Sequence, residues 1–502
     1  MSPTVDETVR EILASQVYDV AIETPLERAT KLSAMTSHNV YLKREDLQPV
    51  HSFKLRGAYN KIVRLTQEER AKGIITTSAG NHAQGVALAA QKLNIRALII
   101  MPQTTPSIKI DAVRGYGAEI ELAGDSYSDA AEYCKVRTTE TGRVYIHPFD
   151  DPLIIAGQGT IGREIIEQLP STTHIFVPVG GGGLIAGIAS YVKAIRPDIK
   201  VISVEPEDSN AMQASIKQKR RVALSHVGIF ADGVAVKQVG SLTYNVALTK
   251  VDDFITVGTD QICAAMKNIF EDTRSIVEPA GALAVAGIVQ YDLPDNAHAV
   301  AICSGANVTF ERLQQVAERT LVGSGKEAMF AVTMPEEPGA LLAFCEDIIQ
   351  SHNISELSYR ANDRYTDARV LVGIAVSNTE DTHTLARKMN EKKYSHVDLT
   401  RDDLMKEHIR HMIGGRTQQA RNEHMYEVTF PERPRALTHF LRAVGSKWNI
   451  SLFHYRSAAS DSGSVLIGFE TISDTELESK LKSTGFDFKR VDSETSVTLF
   501  VQ

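Results

Sequence analysis

Short runs of β-branched and apolar residues alternate with longer helix-like stretches between residues 40 and 304. The runs are GIITTSA, RALIIMP, AEIELAG, HIFVPVG, KVISVEP, DFITVG and HAVAICSG, and stretches such as residues 81–94 and 183–197 are long enough for crossover helices. This alternation predicts an α/β fold with doubly wound, largely parallel sheets in two subdomains. In such sheets ligands bind beyond the carboxyl ends of the strands, so we look for chemistry in the loops that follow these runs.

The pattern changes after residue 322, where the chain contains an internal repeat. VTMPEEPGAL starts at Val332 and VTFPERPRAL starts at Val428, 96 positions later, with seven of ten residues identical; at the same offset, ISELSYR matches ISLFHYR. Each copy has the pattern of a strand, a Pro-containing turn, an amphipathic helix and a second strand, which predicts two α+β ferredoxin-like modules. We expect a catalytic region at residues 1–325, a first repeat at 326–420 and a second at 421–502.

Composition and charge exclude several classes of function. The 502 residues carry a net charge of −8, with no long basic run, so we expect no nucleic-acid partner. No apolar run reaches the roughly 18 residues of a membrane span, and residues 279–291 are expected to form a buried helix. The acidic N-terminus fits no signal or transit peptide, and four cysteines without a CxxC spacing indicate reduced thiols, a cytoplasmic location and no metal site.

The glycine-rich stretch VGGGGLIAG follows a predicted strand and opens a predicted helix. Because glycine has no Cβ, backbone N–H groups in such a loop can close around a phosphate at the positive end of the helix. Two alternatives remain open. Gly181, Gly183 and Ala186 also satisfy GxGxxA, and Glu205 ends the next strand where a dinucleotide ribose would need it. The glycines could also serve tight packing alone.

Two more loops follow predicted strands. In TTSAGNHAQG, Ser78, Gly80 and Asn81 could hold a carboxylate through a hydroxyl, backbone N–H groups and an amide, although an ordinary N-cap with a solvated His82 explains the pattern as well. In AICSGAN, Ser304 ends an apolar run on the same edge of the sheet, although ordinary turn chemistry would also place a serine there.

Lys54, in SFKLRGA, begins a predicted helix. A single lysine is usually solvated. A second cation at Arg56, with Phe53 and Leu55 beside it, could lower the pKa of Lys54 and give a nucleophilic amine. An amine, a phosphate loop, a carboxylate loop and a hydroxyl together suggest pyridoxal phosphate, bound as a Schiff base.

The motifs SFKLRGA, SAGNHAQG, VGGGGL, EPAGA and SGAN occur in the order found in the fold type II pyridoxal phosphate enzymes, and the chain resembles the threonine dehydratase family among them. The doubled C-terminal module is similar to the paired ACT-like repeats of the biosynthetic members. The resemblance implies the conversion of L-threonine, and of L-serine as well, to a 2-oxo acid and ammonia by elimination of water, as the first step of isoleucine biosynthesis.

By this resemblance, Lys54 holds the cofactor and later removes the substrate α-proton, Phe53 lines one face of the ring, Asn81 bonds the phenolic oxygen, and Ser304 faces the ring nitrogen. The implied cofactor contacts are Phe53, Lys54, Asn81, Gly180, Gly181, Gly182, Gly183, Leu184 and Ser304. The implied substrate contacts are Ser78, Ala79, Gly80, Asn81 and His82.

Three identities bear on the chemistry that the resemblance implies. A neutral hydroxyl at Ser304 does little to keep the ring nitrogen protonated, which favours rapid loss of the β-hydroxyl over a long-lived carbanion. Ala79 stands where serine-racemising relatives carry a second hydroxyl, so we expect little racemase activity. Met212 and Gln213 stand where those relatives place a second acidic residue after Glu205, so we expect no required divalent metal.

The repeats are expected to sense amino acids, although a structural or oligomer-forming role is the alternative. Gly339 begins the helix of the first copy and Arg435 holds the matching position of the second, so two effector sites would not be equivalent. By resemblance, isoleucine inhibits and valine relieves the inhibition, with Tyr359 and Tyr455 as the residues to test first. The family is commonly homotetrameric. The alternative function is that of another fold type II enzyme, such as serine dehydratase, cysteine synthase or threonine synthase, with a structural C-terminal module.

Overall fold

The chain divides into two units, Met1–Leu313 and Gln314–Gln502. The computed structural model describes residues 5–335, 343–350, 352, 354–359, 367–409, 422–431, 440, 443–444, 448–455, 462–470 and 474–501. Across these ranges, no helix combines the length and the apolar character that a membrane span requires.

The first unit contains two sheets. A six-stranded sheet has the order β1-β2-β10-β7-β8-β9, with β1 antiparallel to β2 and the other neighbours parallel. A four-stranded parallel sheet has the order β5-β4-β3-β6. The strands are β1 Leu26–Arg28, β2 Asn39–Arg44, β3 Ile74–Thr77, β4 Ala97–Met101, β5 Glu119–Leu122, β6 Val144–Tyr145, β7 His174–Pro178, β8 Lys200–Pro206, β9 Asp253–Val257 and β10 His298–Cys303.

Helices separate these strands along the chain. They are α1 Val5–Leu13, α2 Thr30–Thr36, α3 Lys54–Ile62, α4 Gln67–Lys72, α5 Asn81–Leu93, α6 Ser107–Gly115, α7 Tyr127–Thr141, α8 Pro152–Gln168, α9 Gly183–Ile195, α10 Ala211–Lys217, α11 Ser241–Lys250, α12 Thr259–Thr273 and α13 Pro279–Gln290. Short 3-10 segments lie at Val17–Asp19, Glu45–Leu47 and Asp232–Val234. Helix α14, Phe310–Gly323, contains the division between the two units.

All seven runs predicted as strands are strands, and the two predicted crossover helices are α5 and α9. Helix α13 is the buried helix expected at residues 279–291, since each of its residues from Pro279 to Ile288 is buried. One apolar core packs α9 against β7, β8 and β10, and a second packs α5 against β3 and β4. The doubly wound, largely parallel arrangement in two subdomains is therefore confirmed.

The second unit contains two four-stranded antiparallel sheets with the same strand order, β12-β13-β11-β14 and β16-β17-β15-β18. The strands are β11 Glu327–Pro335, β12 Ile354–Tyr359, β13 Asp367–Ala375, β14 Ser395–Asp398, β15 Glu423–Pro431, β16 Asn449–Tyr455, β17 Ser462–Glu470 and β18 Phe488–Arg490. The helices are α15 Thr379–Glu391, α16 Asp403–Glu407, α17 Asp474–Ser483 and α18 Thr495–Phe500, with one π-helical turn at Cys345–Ile349.

The repeat is therefore structural as well as sequential. The register of β12 against β13 shifts between Ile354 and Glu356, and that of β16 against β17 shifts between Ile450 and Leu452, again 96 positions later. Each copy has its own apolar core, and a third core contains residues of both copies, among them Met329 and Leu466. The expected pair of ferredoxin-like sheets is confirmed by the strand order.

Candidate active site

Lys54 is the first residue of α3, and its Nζ donates a hydrogen bond to the carbonyl oxygen of Gly233 at 3.1 Å. Burial lowers the pKa of Lys54 below its ordinary 10.5, although the carboxylates of Glu278 and Asp232 raise it; the ammonium of Lys109 lowers it further. A lysine with a lowered pKa is neutral, and therefore nucleophilic, at lower pH than a solvated lysine.

Arg56 does not have the role that the sequence suggested. The pKa of Lys54 is lowered by burial, and the cation that adds to this effect is Lys109. Arg56 is fully buried and its guanidinium bonds Glu45 at 2.8 Å and Glu164 at 2.5 Å. Residues two apart on a helix point in different directions, so Arg56 can anchor the helix on the side away from Lys54.

The loop between β3 and α5 contains Ser78, and Asn81 at the start of α5 contacts Glu278, one of the carboxylates that act on the pKa of Lys54. The Ser78 hydroxyl accepts a hydrogen bond from the Gly80 N–H at 3.2 Å, and Asn81 Nδ2 donates to Glu278 Oε1 at 2.6 Å. Ala79 also lies in this loop. The loop therefore joins the start of a 13-residue helix, with its positive end, to the surroundings of Lys54.

His82 is buried rather than solvated, so the alternative of an ordinary exposed N-cap is wrong. Its Nε2 lies 3.1 Å from the carbonyl oxygen of Ile146. Burial lowers the pKa of His82 to about 3, which leaves the ring neutral near pH 7. A neutral ring facing a carbonyl oxygen carries its proton on Nε2.

The glycine-rich loop connects β7 to α9 and leaves no room for side chains. Gly182 has φ +93°, a left-handed conformation that suits glycine, and a Cβ there would lie 2.7 Å from the Met212 methyl carbon. A Cβ at Gly181 would overlap the Phe149 ring, and one at Gly180 would lie 2.8 Å from the backbone of Val234. Gly183 begins α9, and Leu184 enters the core of this unit.

Ser304 follows β10 and touches the segment that carries Lys54. Its carbonyl oxygen accepts a hydrogen bond from the Phe53 N–H at 3.2 Å, and its buried hydroxyl lies 3.3 Å from the Ala280 carbonyl oxygen. Ser52, two residues before Lys54, pairs with Gly305 through the backbone. The carboxyl end of β10 and the start of α3 are therefore directly joined.

Four polar residues near Lys54 received no role from the sequence: Glu278, Asn307, Asp232 and Lys109. Burial and the charge of Asp232 raise the pKa of Glu278 to about 7, against the lowering effects of Lys54, Asn81 and Lys109. Asp232 pairs with Lys109 at 2.7 Å. The available signals were the glutamate immediately before the proline of EPAGA and the Asp–Gly pair at 232–233.

The Glu205 carboxylate is hydrogen-bonded to backbone N–H groups. Its two carboxylate oxygens accept hydrogen bonds from the N–H groups of Met212 and Gln213, each at 2.8 Å, at the start of α10. Burial raises the pKa of Glu205 to about 8. These bonds leave the carboxylate poorly placed for the ribose of the dinucleotide alternative. In the ranges that the structure describes, no group of three or more His, Cys, Asp or Glu residues could hold a metal ion.

The assembled donor set suits pyridoxal phosphate. A partly buried amine lies at Lys54, and the glycine loop leads into the N-terminus of a 13-residue helix. The amide of Asn81 follows β3, and the hydroxyl of Ser304 follows β10. The hydroxyl of Ser52 is fully buried and has no partner among the described residues, so it can serve a group bound beside Lys54. These residues therefore offer a suitable group for the aldehyde, the phosphate and the polar ring of pyridoxal phosphate.

Comparison with known proteins agrees with this assignment. The family model described as pyridoxal-phosphate dependent enzyme matches residues 17–305, and the model described as C-terminal regulatory domain of threonine dehydratase matches residues 318–409 and 414–501. The first unit is thus that of a pyridoxal-phosphate-dependent enzyme.

Curated relatives match along nearly the whole chain. The L-threonine dehydratase biosynthetic IlvA of Burkholderia multivorans is 47% identical over 98% of this chain and 99% of its own length, and that of Escherichia coli is 45% identical over 97% and 95%. The chain belongs to the family of biosynthetic threonine dehydratases.

Solved structures resemble part of the chain. The processed form of threonine deaminase isoform 2 from Solanum lycopersicum is 50% identical, with a TM-score of 0.62 over 63% of this chain and 93% of that chain. Maize serine racemase is 34% identical, with a TM-score of 0.59 over 64% of this chain and 98% of that one.

Of the sequence-predicted effector residues, Tyr359 ends β12 and Tyr455 ends β16 at corresponding places of the two sheets. Gly339 and Arg435 lie outside the described residues.

Proposed function

We propose that this enzyme eliminates water from L-threonine, and also from L-serine, to give a 2-oxo acid and ammonia, with 2-oxobutanoate as the product from threonine. The observation that carries the proposal is the partly buried Lys54, whose pKa is lowered and which lies where the segments after β3 and β10 converge. Bound pyridoxal phosphate supplies an electron sink for the substrate carbanion.

Within this proposal the residues bind, orient and move protons. Lys54 holds the cofactor and its Nζ, once neutral, takes the substrate α-proton. The Ser78 to His82 loop receives the substrate carboxylate at the positive end of α5. Residues 180–184 hold the phosphate, Phe53 lines one face of the ring, and Asn81 bonds the phenolic oxygen. The neutral hydroxyl of Ser304 faces the ring nitrogen.

We further propose that Ala79 limits racemisation, because no second hydroxyl is available there to return a proton to the opposite face. Chiral analysis of serine recovered during turnover should find little D-serine at neutral pH, and substantial D-serine would contradict this. We also propose that no divalent metal is required, because the Glu205 carboxylate already accepts hydrogen bonds from the backbone of α10. Activity should then survive treatment with a chelator and should not rise when magnesium is added.

For the second unit we propose amino-acid regulation, with isoleucine as inhibitor and valine as the effector that relieves it. The repeats at 326–420 and 421–502 would carry non-equivalent sites, with Gly339, Tyr359 and Tyr455 as contacts. A tenfold change in activity corresponds to about 1.4 kcal/mol of coupling between effector and substrate sites. We propose a cytoplasmic homotetramer as the working form, in which residues 1–325 form the catalytic part.

The first test is an absorbance spectrum of the purified protein, followed by addition of L-threonine while 2-oxobutanoate is assayed. A band at about 410 nm, typical of a protonated imine of pyridoxal phosphate, should be present and should be lost in Lys54→Ala. Lys72→Ala is the matched control, since Lys72 is half-exposed and pairs with Glu68 across one helical turn. Absence of the band in the unaltered protein would overturn the assignment of cofactor and function.

The regulatory proposal is tested with the same assay by titration of isoleucine, with and without valine. Tyr359→Phe and Tyr455→Phe should weaken inhibition, whereas Tyr394→Phe, a tyrosine of the first copy that bonds Asp347, should not. Turnover without any response to isoleucine would leave the enzyme assignment intact and favour a structural role for the repeats.

A further inference from the structure

Glu278 occupies the N-cap position of α13 but does not cap its own helix. Its carboxylate is buried and accepts two hydrogen bonds from elsewhere, one from Asn81 Nδ2 at 2.6 Å and one from the backbone N–H of Asn307 at 3.1 Å. Asn81 begins α5, just after the loop that follows β3, and Asn307 lies in the segment that follows β10. This carboxylate therefore ties together two of the loops that form the candidate active site.

The amide of Asn81 is held at both ends. Its Nδ2 donates to Glu278, and its Oδ1 accepts from Asn307 Nδ2 at 2.6 Å. The second N–H of Asn307 Nδ2 donates to the Val50 carbonyl oxygen at 2.9 Å, so the Asn307 amide is itself fixed. The two ends of a carboxamide have nearly the same shape, and only their partners decide which end points where.

Reversal of the Asn81 amide would break the hydrogen bonds at both of its ends. It would place Oδ1 against the Glu278 carboxylate, which is an acceptor, and Nδ2 against the Asn307 amide nitrogen, which is a donor. The observed orientation uses one of the two N–H groups of Asn81. Among the described residues no other acceptor bonds Asn81 Nδ2, so the second N–H is left for a bound group.

The backbone around Glu278 is shaped to the carboxylate. A Cβ at Gly305 would lie 2.6 Å from Glu278 Oε1, and a Cβ at Gly233 would lie 3.2 Å from the same atom. Gly233 is also the residue whose carbonyl oxygen accepts the hydrogen bond from Lys54. Side chains are thereby excluded from the space between the glutamate and the lysine.

We propose that Glu278 is the positioning residue of Asn81: it orients the amide so that the free N–H points to the phenolic oxygen of bound pyridoxal phosphate. This inference rests on the proposed function, in which Asn81 bonds that oxygen. Glu278 acts through Asn81 and not by contact with the substrate.

The polar and charged groups that face Glu278 make this positioning dependent on pH. Asn81 faces it from α5, Lys54 from α3, Lys109 from α6 and Asp232 from the 3-10 segment Asp232–Val234. Burial and Asp232 raise the pKa of Glu278 to about 7. A protonated carboxyl group must itself donate a hydrogen, which conflicts with the two donors it faces, so the orientation of Asn81 should weaken as pH falls through this value.

The test measures the affinity of the full-length apo protein for pyridoxal phosphate at pH 8 in four forms: unaltered, Glu278→Gln, Asn81→Ala and the double variant. Glutamine offers one acceptor oxygen to two donors, so we expect Glu278→Gln to bind about tenfold more weakly. The double variant should bind no more weakly than Asn81→Ala, because Glu278 has nothing left to orient. For unaltered protein the affinity should fall between pH 8 and 6. The fall should be smaller in Glu278→Gln, in which the titration of Lys54 remains and that of Glu278 is absent.

Asn307→Asp provides a second variant that leaves Glu278 intact and removes the donor at the other end of the Asn81 amide; it should weaken cofactor binding as well. The matched control is Asp272→Asn, which also replaces a carboxylate accepting two N–H groups, those of Lys31 and Leu32, but joins α12 to α2. It should lower stability without changing cofactor affinity.

Unchanged affinity in Glu278→Gln, or additive losses in the double variant, would overturn the positioning role. The proposed function would fail separately, through the absence of the cofactor band in the unaltered protein.

Discussion

Lys109 Nζ and Asp232 Oδ2 lie 2.7 Å apart, and this ion pair joins the two halves of the catalytic unit. Lys109 belongs to α6, which lies between two strands of the four-stranded sheet, whereas Asp232 follows a strand of the six-stranded sheet. Gly233, the next residue, accepts the hydrogen bond from Lys54. The pair therefore places two opposite charges close to the same amine.

These charges should shift the pH dependence of cofactor uptake in opposite directions. Lys109 lowers the pKa of Lys54 and Asp232 raises it. Lys109→Met should therefore move the midpoint for pyridoxal phosphate uptake by the apo protein to higher pH, and Asp232→Asn should move it to lower pH. Stopped-flow absorbance across the pH range measures both midpoints, with Lys72→Met as the control. Shifts of the same sign would contradict this electrostatic account.

His82 should make the catalytic unit sensitive to acid. Its folded pKa is about 3, below the ordinary 6.5, so the unfolded chain binds more protons between these values. The free energy of unfolding should therefore fall as pH drops from 6.5 toward 3, by up to about 1.4 kcal/mol per pH unit from this one group. His82→Gln should remove that part of the slope in urea unfolding.

Glu278 and Glu205 affect the free energy of unfolding in the opposite direction, because their pKa values are raised in the folded protein. The stability that each contributes at low pH is lost as pH rises, toward about 7 for Glu278 and about 8 for Glu205. The difference between unaltered and His82→Gln protein isolates the histidine.

The glycine-rich loop should be intolerant of a single added methyl group. Gly181→Ala would drive a Cβ into the Phe149 ring, and Gly182→Ala would combine a left-handed φ of +93° with contacts to Met212 and Thr243. Both should weaken pyridoxal phosphate binding by tenfold or more, equivalent to at least about 1.4 kcal/mol, as measured by titration of the apo protein.

Gly115→Ala separates this local effect from a general cost of replacing glycine, since a Cβ there meets nothing within 4 Å. Normal cofactor affinity in Gly181→Ala would show that the loop does not hold the phosphate in the described conformation.

Arg56 should be essential for stability rather than for setting the pKa of Lys54. Its guanidinium joins Glu45 and Glu164, all three side chains are buried, and Lys43 also pairs with Glu164 at 2.6 Å. Arg56→Met would leave buried carboxylates without their partner, so we expect a loss of about 3–5 kcal/mol in the free energy of unfolding.

Arg56→Lys should rescue little, because one ammonium cannot reproduce a guanidinium that bonds two carboxylates. The control is Arg163→Met, which breaks an exposed Arg–Glu pair on α8 and should cost less than about 1 kcal/mol. Equal losses in Arg56→Met and Arg163→Met would refute the network.

Much of the architecture was readable from local pattern. Apolar runs of strand length separated by helix-length stretches identified seven parallel strands of the catalytic unit, and glycine or a small polar residue after three of them marked the candidate loops. The 96-residue repeat identified two copies of one module. These features depend on side-chain periodicity and on the conformational freedom of the backbone. Both are set by residues close together in the sequence, so they can be predicted without knowledge of the rest of the fold.

Contacts between distant residues could not be obtained in this way. The sequence suggested that Arg56 acts on Lys54 because the two are only two positions apart in the chain, whereas the tertiary structure pairs Arg56 with Glu164 and brings Lys109 to the lysine instead. The sequence also left open a ribose contact for Glu205, whereas in the structure its carboxylate accepts hydrogen bonds from the backbone at the start of α10.

The sequence by itself determined that the chain has a glycine-rich loop between a strand and a helix, a helix that begins at a lysine and a duplicated C-terminal module. Only the tertiary structure decided that Glu278 meets Asn81, because the two residues lie at the starts of different helices, α13 and α5, and are 197 positions apart in the chain. The pKa of a buried group depends on every charge that the fold brings near it, so the charges around Lys54 are a property of the assembled site.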